Sequence, residues 1–129
     1  MSSEARILVV DDDPAFRSVI SDHLALDGFL VDQAESTQEA KDKLKQENYH
    51  LMLLDIMLPD ALGTELLNFI HSNNIECKVI VLTGVPGLTI ALNAMKLGAS
   101  DYISKPFNPD YLLLSIHKAL DQQMSIPSV

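Results

Sequence analysis

Five short apolar runs punctuate this chain, and four of them end on a chemically reactive polar group. Ile7-Leu8-Val9-Val10 leads into Asp11-Asp12-Asp13, and Leu51-Met52-Leu53-Leu54 into Asp55. Val79-Ile80-Val81-Leu82 leads into Thr83-Gly84, and Tyr102-Ile103-Ser104 into Lys105-Pro106. The fifth, Leu30-Val31-Asp32-Gln33-Ala34, ends without such a group. Runs this short, bounded by polar or turn residues, suit strands buried on both faces of a parallel sheet covered by helices. Ligands of such open sheets bind beyond the carboxyl ends of the strands. Carboxylates, a hydroxyl and an ammonium would therefore gather on one rim.

Between the runs the pattern changes to that of helices, as expected of βαβ units. Asp13-Pro14 reads as an N-cap followed by proline at the first helical position, with Phe16, Val19, Ile20 and Leu24 as the inner face and Gly28 as the stop. Ser36 and Glu39 fit a capping box for a second helix, with Ala40 and Leu44 inward and Lys41, Asp42, Lys43, Lys45 and Glu47 solvated. The turn-rich stretch Pro59-Asp60-Ala61-Leu62-Gly63 precedes a third helix built on Leu66, Leu67 and Ile70 and ended by Asn73-Asn74. A fourth follows the Val85-Pro86-Gly87 loop and closes at Gly98; Asn108-Pro109-Asp110 starts the fifth. The predicted architecture is α/β, a doubly wound (βα)5 domain over residues 1–124, with 125–129 a tail or the start of a linker.

A chain of 129 residues is one domain by length and needs no disulfide to fold. Its single cysteine, Cys77, has no internal partner and reads as a small buried or half-buried hydrophobe. No apolar stretch approaches the ~18 residues of a membrane span, and there is no signal-peptide core, so a cytoplasmic location is expected. The formal net charge of −9 argues against direct nucleic-acid binding, which needs a basic patch.

The acidic rim constrains the chemistry. At about 4 Å and an effective dielectric near 20, each carboxylate pair repels by roughly 4 kcal/mol, so the cluster calls for a cation. Hard oxygen donors with room for water suit Mg²⁺. Asp13, directly before Pro14, is better explained as a helix cap; Asp11 and Asp12 read as metal ligands. Asp55, ending the central run, is a carboxylate with no structural role to fill. Beside Mg²⁺ it can act as a nucleophile towards a phosphoryl group and form an acyl phosphate. Lys105 can then neutralise the phosphoryl oxygens, and the Thr83 hydroxyl can donate a hydrogen bond to them. Taken singly, Thr83 is a good β-former and Lys105 a solvated charge; their coincidence at successive strand ends favours chemistry. The histidines His23, His50, His71 and His117 are scattered and read as structural or surface residues.

These residues resemble the receiver domains of two-component response regulators, from Arg6 to about Gln122. The motifs are Ile-Leu-Val-Val-Asp-Asp-Asp-Pro at 7–14, Leu-Leu-Asp-Ile-Met-Leu-Pro-Asp at 53–60, Val-Leu-Thr-Gly at 81–84 and Gly-Ala-Ser-Asp-Tyr-Ile-Ser-Lys-Pro-Phe at 98–107. The resemblance implies a flavodoxin-like sheet of order 2-1-3-4-5 and a cis Lys105-Pro106 bond. It implies that Asp55 is the phosphoacceptor, that Asp12 binds Mg²⁺ directly and Asp11 largely through water, and that the backbone carbonyl of Met57 is a further ligand. Thr83 would be the switch hydroxyl, and Tyr102 the aromatic that follows it. The partner would be a histidine kinase or phosphotransfer protein, and the chain a signalling switch that catalyses only its own phosphorylation and dephosphorylation.

Two other readings are weaker. An aspartate phosphohydrolase of the haloacid-dehalogenase type would want a threonine where Ala15 stands, and a cap domain for which there is no room. An interaction module that has lost phosphorylation would not keep all the acids, Thr83 and Lys105. Departures from the receiver pattern are Gly84, where alanine is common, and the Val85-Pro86-Gly87 loop, which should alter the stiffness of the moving segment. Met57 is apolar at a position that, in the family, influences phosphoryl lifetime. The expected output surface is the face of the fourth helix, fifth strand and fifth helix, remodelled for a homodimer, an output domain or a partner protein. Its fourth helix carries two apolar stripes, Leu88, Ala91, Leu92, Met95 and Ile90, Ala94, Leu97. In its fifth helix Leu113, Ile116 and Leu120 face inward, with Leu112 among the surplus exposed residues.

Overall fold

The apolar runs pair side by side as parallel strands in a computed structural model that describes residues 5–84 and 88–124. The elements run β1 (Arg6–Val10), α1 (Pro14–Leu26), β2 (Leu30–Ala34), α2 (Thr37–Gln46), β3 (Leu51–Leu54), α3 (Thr64–Ser72), β4 (Lys78–Thr83), α4 (Leu88–Lys96), β5 (Asp101–Ser104) and α5 (Pro109–Met124). The sheet order is β2-β1-β3-β4-β5, as the resemblance implies. The Val85-Pro86-Gly87 loop, the side chain of Leu88 and the 125–129 tail lie outside the described residues.

Strand periodicity divides the core into two layers. Leu8, Val10, Met52, Leu54, Val79 and Val81 face α2, α3 and α4; Ile7, Val9, Leu51, Leu53, Ile80 and Leu82 face α1 and α5. Successive side chains of a strand point to opposite faces, so an unbroken apolar run feeds both layers. The three central strands are buried on both faces, as expected; the edge strands β2 and β5 are only partly so.

The helix ends follow local chemistry. Asp13 Oδ1 accepts from the backbone N–H groups of Ala15 and Phe16, and Pro14 opens α1. Ser36 caps α2 through the Glu39 N–H. The Glu39 carboxylate, however, reaches back to the N–H of Glu35 and not to that of Ser36, so the box is displaced by one residue. Gly28 and Gly98 take positive φ values of 96° and 105° after α1 and α4, a conformation that glycine adopts without penalty.

Two inner faces differ from the sequence expectation. Val19 is 55% exposed, and the buried face of α1 is Ile20, Ser21 and Leu24. At 100° per residue a stripe centred on Ile20 and Leu24 leaves Val19 about 120° from its centre, outside the buried face. In α5 the buried residues are Leu112, Ser115, Ile116, Ala119 and Leu120, while Leu113 is half-buried. Both leucines lie on Ile116's side, at i−4 and i−3, and the buried flank is the one that Leu112 shares with Ser115 and Ala119. Leu112 is therefore core, and Tyr111 and Leu114 are the exposed apolar residues. The α4 stripes separate as expected, with Ala94 buried and Ile90 and Leu97 half-buried, while Leu92 and Met95 face outward.

Candidate functional site

The rim is assembled from strands adjacent in space but distant in sequence. Asp11 follows β1 and Asp55 follows β3; their positions are set by backbone bonds from Asp11 N–H to Ala34 and from Asp55 N–H to Val10. The strand order reverses between these two strands, which is where a doubly wound sheet opens a crevice. Carboxylate oxygens of Asp11, Asp12 and Asp55 lie within 4.8 Å of one another, Asp11 and Asp55 buried and Asp12 exposed. Lys105, beyond β5, donates its ammonium to Asp11 Oδ2 at 2.6 Å and to Asp55 Oδ2 at 3.2 Å.

Further bonds hold these acids in place. Asp11 Oδ1 accepts from the Asp13 N–H at 2.9 Å, and its backbone carbonyl accepts from the Arg17 guanidinium at 2.7 Å. Asp55 Oδ1 accepts from the Met57 N–H at 3.1 Å. Thr83 ends β4 fully buried, and its carbonyl accepts from the Lys105 N–H. The Lys105-Pro106 bond is cis. Tyr102 is half-buried on β5, in register with Val81.

Burial raises the Asp55 carboxyl above the ordinary aspartate range, and the Asp11 charge adds to this; Lys105 and the Met57 N–H oppose without winning. For Lys105, burial pulls downward, but the hydrogen bond and charge of Asp11, with Asp55 behind them, hold the ammonium above its ordinary value. The cluster thus has three carboxylates against one ammonium, all hard oxygen donors. That donor set fits Mg²⁺, with Asp12 the carboxylate open to solvent.

The raised Asp55 pKa has a sign for stability. A carboxyl that holds its proton more tightly when folded destabilises the fold on ionising, so the cost is absent below about pH 4 and grows until the folded group has titrated. Asp55→Asn is therefore expected to melt above the wild type at pH 8 without metal, with the gap closing near pH 4. Circular dichroism melts at the two pH values check this; a variant that melts lower at pH 8 would mean the Lys105 pair outweighs the burial.

Residues that periodicity could not reveal brace the rim. Asp60 accepts from the Thr37 N–H and hydroxyl and from the Gln38 N–H, tying the β3–α3 loop to the start of α2. The Thr37 hydroxyl, more than any other group, holds its carboxyl down at about 2. Gly63 faces the Asp55 carbonyl so closely that a Cβ there would overlap it. Gly84, by contrast, has open space where a Cβ would be, so the usual alanine would fit. The histidines make other contacts: His50 accepts from the Arg6 N–H, His117 pairs with Asp27 at 2.7 Å, and His23 and His71 are exposed. Burial pushes the half-buried Cys77 thiol up to about 12, as suits a structural cysteine.

The family model for the response regulator receiver domain matches residues 7–117. The chain belongs to that family. A CheY-like response regulator receiver domain protein from Methanospirillum hungatei JF-1 is 39% identical, with a TM-score of 0.90 over 95% of this chain and 98% of that one. The beryllofluoride-activated NtrC4 receiver domain dimer is 35% identical, with a TM-score of 0.86 over 91% of this chain and 97% of that one. A protein of Thermotoga maritima named cyclic di-GMP phosphodiesterase is 37% identical over 88% of this chain but only 30% of its own length. The receiver domain spans between 30% and 62% of the length of the curated relatives first matched. Among the described residues no helix is long and apolar enough to cross a membrane.

Proposed function

We propose that Asp55 accepts a phosphoryl group from the phosphohistidine of a cytoplasmic histidine kinase or phosphotransfer protein. The observation that carries this is one ammonium bridging two of three clustered carboxylates at the strand-end rim of a receiver domain. An Asp55 oxygen attacks phosphorus as the P–N bond breaks, and the bonding electrons return to the departing imidazole. Lys105 neutralises the phosphoryl oxygens, and the Thr83 hydroxyl donates to one of them. Asp12, Asp55, the Met57 backbone carbonyl and, through water, Asp11 would hold Mg²⁺, which supplies the remaining charge neutralisation when bound.

The reaction is the chain's own modification; a phosphodiesterase or other output would belong to a partner or a further domain. Thr83 drawn towards phosphorylated Asp55, with Tyr102 following, would remodel the α4–β5–α5 face. Exposed Leu92, Met95, Tyr111 and Leu114 supply the apolar surface for a dimer or an output partner. The activated NtrC4 dimer supports this reading.

The test separates the roles. Labelling by acetyl phosphate should require Mg²⁺ and stop with EDTA. Asp12→Ala should weaken Mg²⁺ binding at least about tenfold in a calorimetric titration, as expected for loss of a charged ligand. Thr83→Ala should keep metal binding and most labelling but lose the beryllium fluoride-induced association seen by sedimentation. Equal loss of metal in Asp12→Ala and Thr83→Ala would refute the assignment. For the surface, Leu92→Glu/Leu114→Glu is the informative pair, because Leu112 is core.

A further inference from the structure

The Lys105 ammonium has a third neighbour that is not a carboxylate. It lies over the face of the Phe16 ring, 4.1 Å from the centroid. Phe16 sits in the first turn of α1, where its N–H donates to the Asp13 cap at 3.3 Å, so its backbone is fixed by the segment that carries Asp11. Its ring is fixed in turn by Phe107, two residues beyond Lys105, whose ring meets it edge-on at 6.0 Å and 88°. Both aromatics are half-buried. Lysine's ammonium is a compact charge on a flexible stem, and two carboxylate contacts alone do not fix its position. A ring face attracts a cation without a directional hydrogen bond and leaves its N–H donors free for oxygen.

We propose that Phe16 is a positioning residue for phosphoryl acceptance: its ring face, braced by Phe107, holds the Lys105 ammonium within reach of Asp55 and Asp11. The inference rests on Asp55 being the acceptor. When Asp55 becomes an acyl phosphate, its carboxylate charge is replaced by a phosphoryl dianion further out, and the ammonium must shift to meet it. The ring allows that shift without a competing hydrogen bond. An aliphatic residue would fill the space without attracting the charge.

The test compares Phe16→Leu, Phe16→Tyr and Phe107→Leu in the full chain, with circular dichroism melts to confirm folding. Two quantities are read: the initial rate of labelling by acetyl phosphate at saturating Mg²⁺, and the NMR shift of the Lys105 ε-methylene protons, which a ring face displaces upfield. Phe16→Leu is expected to slow labelling about three- to tenfold and to return the Lys105 signal to an ordinary lysine position. Phe16→Tyr should restore both, and Mg²⁺ affinity should stay the same throughout. Phe107→Leu, which leaves the ring but removes its brace, should fall between, and it carries the test if Phe16→Leu does not fold. Wild-type labelling in Phe16→Leu, equal slowing in Phe16→Leu and Phe16→Tyr, or an undisplaced Lys105 signal in the wild type would each overturn the proposal. A wild-type chain that takes no label on Asp55 overturns the acceptor reading instead, and the Lys105 signal still decides whether the ring holds the ammonium.

Discussion

Asp55→Asn is expected to lose labelling by acetyl phosphate or phosphoramidate altogether, with Mg²⁺ present and the fold intact. Asparagine keeps the shape of the side chain and can still accept from the Met57 N–H, but its amide is not a nucleophile towards phosphorus. No other described carboxylate combines burial at the rim with contact to Lys105 except Asp11, and Asp11 is held by the shorter bonds, 2.6 Å from Lys105 and 2.9 Å from the Asp13 N–H, against 3.2 Å and 3.1 Å at Asp55. Intact-mass spectrometry reads the outcome as the presence or absence of one added phosphoryl group. An Asp55→Asn chain that labels as fully as the wild type would remove Asp55 from the mechanism and turn attention to Asp12, the exposed member of the cluster.

Gly63→Ala is expected to damage the site from behind. Gly63 takes φ −60° and ψ −23° at the start of α3, a conformation open to any residue, so backbone strain is not the obstacle. The obstacle is space. An added methyl would overlap the Asp55 carbonyl and press on the Ile56 Cα, and both are backbone atoms that cannot rotate away. The Gly63 N–H also donates to the Ile56 carbonyl at 2.6 Å, closing the β3–α3 loop on itself. Forcing a methyl into such packing costs roughly 1–3 kcal/mol, and any relief must come by moving the Asp55–Ile56 peptide. The variant should melt lower, bind Mg²⁺ more weakly and label more slowly, with the labelling loss exceeding what the fraction unfolded accounts for. A variant with wild-type melting and labelling would show that the loop yields freely.

The proposed acceptor site was legible in part because of how strands end. Each strand-end group stands directly after an apolar run, so a reader who recognises the run recognises the group that leaves it. That local rule delivers Asp11, Asp12, Asp55, Thr83 and Lys105. It does not deliver Gly63, Asp60 or Phe16. Gly63 looks like any turn glycine until the Asp55 carbonyl is seen beside it. Asp60 looks like an ordinary turn aspartate, although its partners Thr37 and Gln38 lie 23 and 22 residues earlier in the chain. Phe16 fits a helix's apolar pattern and gives no sign that its ring faces a cation.

The amino-acid sequence by itself determined the alternation of strand and helix, because periods of 2 and 3.6 and the chemistry of caps act over a few residues. Tertiary structure alone decided which of two adjacent leucines in α5 enters the core, since Leu112 and Leu113 both satisfy a helical stripe and only the sheet below selects between them. It also decided that Val19 faces water. Above all, it decided the charge balance of the rim. Lys105 meets Asp11 across 94 residues of chain and Asp55 across 50, contacts that exist only because β1, β3 and β5 end on the same edge of one sheet. Local pattern places each group at the end of its strand; the parallel register of the sheet brings those ends within bonding distance.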